Sequence, residues 1–291
     1  MQVGFVSSVS KIVNPMAKTV SFSRLSDIPN DMFVRTTTPT AEAQNPKDVA
    51  LKTALEYCRQ TVMQEKPVEG QMAFGPNGNI LYQNTGDEKS CTLEVYKLVW
   101  GTTAVHSHPK SCTLSDVDAM VLITHSNLSE VVSVDSKGRH CSLKKPEGYF
   151  KCFRPDEKQY YYFLLNKTML QTWNDALPKI DNPKEFCMAE NERRLMSAYG
   201  FDDVEQMYKE FGCTRTGDPD TDMGNISWRF YMPEVTSKNI KPIDLSDPEF
   251  SARAIQVEQL EGTEQAIEIG KKINQAYANI LGLEYSYSDT I

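Results

Sequence analysis

Several things are scarce or missing in this chain, and each absence excludes something. No apolar run approaches the roughly 20 residues that a membrane-crossing helix needs, so no membrane span is expected. No CxxC pair occurs. The seven cysteines, at positions 58, 91, 112, 141, 152, 187 and 213, are odd in number and irregularly spaced. Reduced thiols in a cytosol-like compartment fit that usage better than a disulfide framework. Basic residues are outnumbered, 31 against 39 acidic, for a net charge of −8. Phosphate binding relies on clustered Lys and Arg, so a nucleic-acid partner is not expected. There is no internal repeat. The apolar stretch near Val3 to Val6 is ended at once by Ser7 and Ser8 and has no basic leader, unlike a secretory signal peptide.

What is present changes character along the chain. Residues 1–45 are rich in Ser, Thr and Pro, ending in the run Thr36 to Gln44, and read as a flexible leader or an export signal. From Asn45 a helix is expected, capped by Asn45 or Asp48 with Pro46 in its first turn and stopped by Pro67. Leu51, Leu55, Cys58 and Val62, with Ala54 beside them, give it one apolar face. Extended segments follow at 70–74 and 79–83, joined through Asn77-Gly78, a strong hairpin signal. The run from Cys91 to Val105 reads as a strand delivering His106. Ser115 opens a helix, and two strands flank the turn Asp135 to Gly138. Residues 46–150 therefore read as an α/β core. Residues 151–291 read as a mostly helical extension that packs on the core or recruits a partner, with helices at 157–177, 183–211 and 263–281 and a loop at 212–225.

Of only four histidines, His106 and His108 stand one residue apart at the end of the expected strand. Residues i and i+2 of a strand share a face, so both imidazoles can converge on one ion while Ser107 turns away. Pro109 then ends the strand. Asp118 follows in the first turn of the helix that Ser115 opens. Ser115 and Asp118 alone would be a capping box. Two imidazoles and a carboxylate that leave a fourth position open make a catalytic zinc arrangement rather than a structural one.

The segment from His106-Ser107-His108-Pro109 through Ser115-Asp116-Val117-Asp118 resembles the JAMM signature of MPN-domain zinc metallopeptidases, H-x-H-P followed by S-x-x-D. The resemblance extends over about residues 46–150 through the order of elements. It implies the MPN fold, a cytidine-deaminase-like mixed sheet flanked by helices. It also implies His106, His108 and Asp118 as zinc ligands, Ser115 as the support of the oxyanion, and an upstream glutamate as general base. Nine residues separate His108 from Asp118 where that family usually has ten. Asp116 is the alternative carboxylate, but as ligand it would lose the relation to Ser115. Among Glu65, Glu69, Glu88 and Glu94, Glu69 has the family's position, at the start of the first core strand.

The implied chemistry is hydrolysis of a peptide or isopeptide bond in a protein substrate, with ubiquitin or a ubiquitin-like modifier as the most familiar target. With the leader, it suggests a cytosolic deubiquitinase-like effector delivered into a host cell. A catalytically silent MPN scaffold and a metal-dependent amidase acting on small peptides or peptidoglycan are the rivals. Asp218, Asp220 and Asp222 resemble the start of a calcium loop, but Met223 stands where glycine is needed and no glutamate closes it, so a solvated loop is expected. His125 and His140 are expected at caps or the surface, and Cys112 as a neutral loop thiol. Tyr160 to Phe163 read as a helix packing face or a partner surface.

Overall fold

The computed structural model describes residues 45–88, 90–149 and 154–291. The leader read over residues 1–45 lies outside the described residues except for Asn45.

Asn45 caps α1 (Pro46–Val62): its side chain accepts the Lys47 N–H at 3.1 Å, and Pro46 occupies the first turn. The helix ends five residues before Pro67. Ala50, Ala54, Leu55, Cys58 and Val62 form its buried face, with Leu51 at the margin. The hairpin β1 (Gly70–Phe74) and β2 (Ile80–Thr85) follows, then β3 (Thr102–Ser107). The strand is thus much shorter than the run from Cys91 suggests. A short 3-10 turn at Val95–Lys97 interrupts that run. Glu94 fixes this turn locally, accepting the Tyr96 hydroxyl at 2.8 Å and pairing with Lys97. Tyr96 and Trp100, two of the residues that give the run its strand-like composition, are exposed.

Next come α2 (Asp116–Thr124), β4 (Leu128–Val134), β5 (His140–Lys144) and α3 (Pro155–Ala176). The segment expected as one helix from Pro183 divides into α4 (Pro183–Tyr199) and α5 (Val204–Glu210). Gly200, at φ 78°, takes the left-handed conformation that ends α4. The segment expected as a loop holds α6 (Pro219–Ile226), and α7 (Pro233–Thr236), α8 (Pro248–Leu260) and α9 (Glu264–Leu281) follow. The chain closes with β6 (Glu284–Ser288), a strand the sequence did not announce.

Among the described residues the sheet has six strands in the order β2-β1-β3-β4-β5-β6. Only β3 and β4 run parallel, joined across α2; the other neighbours are antiparallel. The chain is therefore α/β with a mixed sheet flanked by helices. Because side chains alternate, the two faces have different occupants. Met72, Phe74, Val105, Val132 and Val134 pack against α1. Ala73, Ala104, Val131, Cys141 and Leu143 pack against α2, Leu165 of α3, and Ile269, Ile273, Tyr277 and Leu281 of α9. Strands β1 and β3 are buried at every position, as central strands covered on both faces must be.

Residues 154–291 thus supply two helices and an edge strand to the core layers. Of the rest, α4 to α7 gather around a second apolar cluster that includes Leu195, Met207, Tyr208 and Phe230, while α8 packs on α4 through Ala252, Ile255 and Cys187 and reaches the core with Val257 and Leu260. Of the aromatic run on α3, Tyr161 packs against the core, whereas Tyr160 and Phe163 are exposed. No described helix is long and apolar enough to cross a membrane.

Candidate metal centre

The βαβ crossover positions the site. Ligands in open α/β sheets bind outside the carboxyl ends of parallel strands, and β3 delivers its last residues there as the chain turns into α2. His106 is the penultimate residue of β3, and His108 follows its end, with its N–H still bonded to the Val134 carbonyl at 3.0 Å. Both therefore keep strand geometry, and both rings fall on the face covered by α2. Ser107 falls on the other face, where its Oγ accepts the Gly70 N–H at 2.8 Å and lies 3.0 Å from the Thr61 hydroxyl.

Asp118 arrives from the opposite direction. Ser115 is the N-cap of α2 and Asp118 its third residue, closing a capping box. Asp118 Oδ2 accepts the Ser115 N–H at 2.8 Å and its hydroxyl at 2.7 Å. Its Oδ1 is left to face His106 Nε2 at 3.4 Å, and Oδ2 lies 3.9 Å from His108 Nε2. The two Nε2 atoms are 2.9 Å apart. One ligand atom from each of the three residues thus falls within 4.8 Å of the others. Two atoms bound to one tetrahedral zinc at about 2.0–2.2 Å lie roughly 3.3–3.6 Å apart. The observed separations bracket that range, so the donor set fits a small divalent cation. His108 and Asp118 each keep 20% of their side-chain surface, against 6% for His106, so the group is open on one side.

The His108 imidazole is oriented from behind. His108 Nδ1 donates to the Thr113 carbonyl at 2.9 Å. With His108 anchored through Nδ1, its Nε2 is directed into the cluster. The electrostatics agree. Burial disfavours a charged His106, but the Asp118 carboxylate outweighs it, the Val132 backbone also favours the charged form, and the pKa rises. Burial and the neighbouring His106 charge push His108 down to about 4. Burial would raise Asp118, yet the His106 charge and its hydrogen bonds hold it well below the usual carboxylate range.

Glu69 precedes β1 and extends its ladder: its N–H donates to the Asp87 carbonyl and its own carbonyl accepts the Gly86 N–H, both at 2.8 Å. It is buried, and burial, reinforced by the Asp118 charge and opposed by His106, lifts its pKa to about 7. The other glutamates stand elsewhere. Glu65 and Glu88 are exposed, and Glu94 is occupied with Lys97 and Tyr96. Asp116 is turned away from the histidines and accepts the Asn166 side-chain amide at 2.8 Å.

The Ser115 hydroxyl donates to Asp118, so it must turn to reach a developing oxyanion. The loop between His108 and Ser115 is bonded internally. Ser111 Oγ lies 2.8 Å from Thr113 Oγ1 and accepts the Thr113 N–H at 3.0 Å. Cys112 is buried within it, its thiol pushed up to about 11 by burial and its carbonyl accepting from Ser133 and Cys141. His125 caps the end of α2, and His140 lies on β5 near Gly138. Asp218 and Asp222 serve their own loop: Asp218 caps α6, and buried Asp222 accepts from Thr216 and Gly217.

Two neighbours of the site escaped sequence reasoning. Cys91, read only as a scattered thiol, is a neighbour of Glu69, and each shifts the other's pKa. Asn274 of α9 contacts the loop before Ser115. A signal for the second existed: Gly270 and Asn274 interrupt the apolar stripe of an amphipathic helix, where aliphatic residues are the rule. No known protein family, curated protein or solved structure is matched by this chain.

Proposed function

We propose that this protein is a zinc-dependent JAMM-type peptidase that hydrolyses peptide or isopeptide bonds, with ubiquitin or a ubiquitin-like modifier as its protein substrate. The observation that carries the reading is the convergence of His106, His108 and Asp118 with buried Glu69 beside them. Two imidazoles and a carboxylate are a zinc donor set that leaves a coordination position for chemistry. Zinc held there supplies a Lewis acid that acidifies water and polarises a scissile carbonyl. Glu69, with a pKa lifted to about 7, is suited both to accept the water's proton and to return it to the leaving amine. Its burial keeps that proton from bulk water. Ser115, on turning from Asp118, donates to the oxyanion as the carbonyl carbon becomes tetrahedral. The described cysteines are free thiols, which suits a reducing compartment.

A cleavage assay tests this. The zinc-loaded full chain, given ubiquitin chains of defined linkage, is expected to release monomers. Glu69→Gln is expected to keep its zinc and lose about 10²–10⁴ of the rate, the range for a general base. Full activity in that variant would remove Glu69 from the mechanism, and inert chains of every linkage would remove ubiquitin as the substrate.

A further inference from the structure

α9 runs beneath the loop that joins the two ligand-bearing elements. Asn274 on that helix is fully buried, 160 positions from the loop in sequence. Its Oδ1 accepts the Leu114 N–H at 2.9 Å and its Nδ2 donates to the Leu114 carbonyl at 2.7 Å. The side-chain amide pairs with the backbone as a strand neighbour would. One turn earlier, Gly270 lets the helix come close. A Cβ there would stand 2.5 Å from Thr113 Cγ2 and 2.8 Å from its Oγ1.

The two residues held this way bear directly on the cluster. The Thr113 carbonyl receives His108 Nδ1. Leu114 leads into Ser115, whose N–H and hydroxyl hold Asp118. We infer that Asn274, with Gly270, is a positioning residue of the metal centre: it sets the His108 ring and the Ser115–Asp118 cap before a cation arrives. Outer partners of metal ligands elsewhere change affinity about 10–100-fold when removed. The inference rests on the metal-site reading above and gives α9 a part in it. An apolar residue at 274 would leave both polar groups of buried Leu114 unpaired, and a side chain at 270 would displace Thr113.

The test uses the full chain with Asn274→Ala, Gly270→Ala and the isosteric Asn274→Asp, which keeps an acceptor for the Leu114 N–H but loses the donor to its carbonyl; circular dichroism confirms that each variant is folded. Ile269→Ala is the control, a core truncation on the same helix. Zinc affinity is measured by chelator competition, and the His108 tautomer by ring-nitrogen NMR of the metal-free protein. The Asn274 and Gly270 variants are expected to bind zinc about 10–100-fold more weakly and to lose the single Nδ1-protonated tautomer. Ile269→Ala should lower the melting temperature and move neither readout. Wild-type affinity and tautomer in folded Asn274 variants would overturn the inference. Failure of the wild type to take up zinc would overturn the metal reading instead, and the tautomer signal would still decide whether Asn274 orders the loop.

Discussion

Gln71 of β1 and His106 of β3 stand opposite each other in the antiparallel ladder. Paired residues share a face, so Glu69, two positions before Gln71, belongs to the same side of the sheet as the histidines. Register, rather than proximity in sequence, brings a carboxylate at position 69 to a cluster formed at positions 106–118.

That placement has a pH signature in the metal-free protein. Glu69 titrates at about 7 rather than 4.5, because burial disfavours its charged form. The stability its neutral form contributes is complete below the unfolded value, near 4.5, and is lost as pH rises through about 7. Glu69→Gln stays neutral throughout. The melting temperature of wild type relative to Glu69→Gln is therefore expected to fall between these limits and level off above them. Parallel profiles across that window would show that Glu69 is not desolvated.

Ser115 serves two groups at once, capping α2 and holding Asp118 through its hydroxyl. Ser115→Ala is expected to cost about 0.5–2 kcal/mol, the usual loss for an N-cap hydroxyl, and to weaken zinc binding because Asp118 loses a restraint. Denaturant unfolding and chelator competition measure the two effects. Reduced stability with unchanged zinc affinity would confine Ser115 to capping.

Ser107 lies between the two ligands and faces the other layer. Its hydroxyl accepts the Gly70 N–H and contacts Thr61, all within the buried region under α1. Ser107→Ala strands a buried donor and is expected to cost about 1–3 kcal/mol, while zinc stoichiometry stays unchanged. Loss of zinc in a folded Ser107→Ala protein would contradict the assignment of faces.

The alternation that makes this contrast was legible in the sequence, as was the cap at Ser115, because each depends on residues a few positions apart; for the first helix the sequence offered Asn45 or Asp48, and Asn45 is the cap. The hairpin at Asn77-Gly78 was legible for the same reason. What the sequence concealed depends on contacts across long separations. β6 does alternate, with Tyr285 and Tyr287 between Glu284, Ser286 and Ser288, but the run is only five residues long and its partner β5 lies about 140 positions away, so its pairing shows only in the fold. The run from Cys91 has strand composition throughout, yet a local turn at Glu94–Lys97 leaves only Thr102–Ser107 to pair with β1 and β4. Asn274 reads as an odd polar residue on an apolar stripe, and its meaning appears only where Leu114 meets it. In the centre itself, the choice of Asp118 over Asp116 followed from its offset to Ser115, and Asn166 supplies the reason Asp116 is occupied elsewhere.

The central claim is that His106, His108 and Asp118 jointly hold one zinc ion. Metal analysis of purified wild type beside His106→Ala, His108→Ala and Asp118→Ala, each confirmed folded by circular dichroism, tests it most directly. Wild type is expected to carry about one zinc per chain, as a three-ligand site with an open position should, and each variant close to none. Wild-type zinc content in folded His108→Ala and Asp118→Ala proteins would contradict the account.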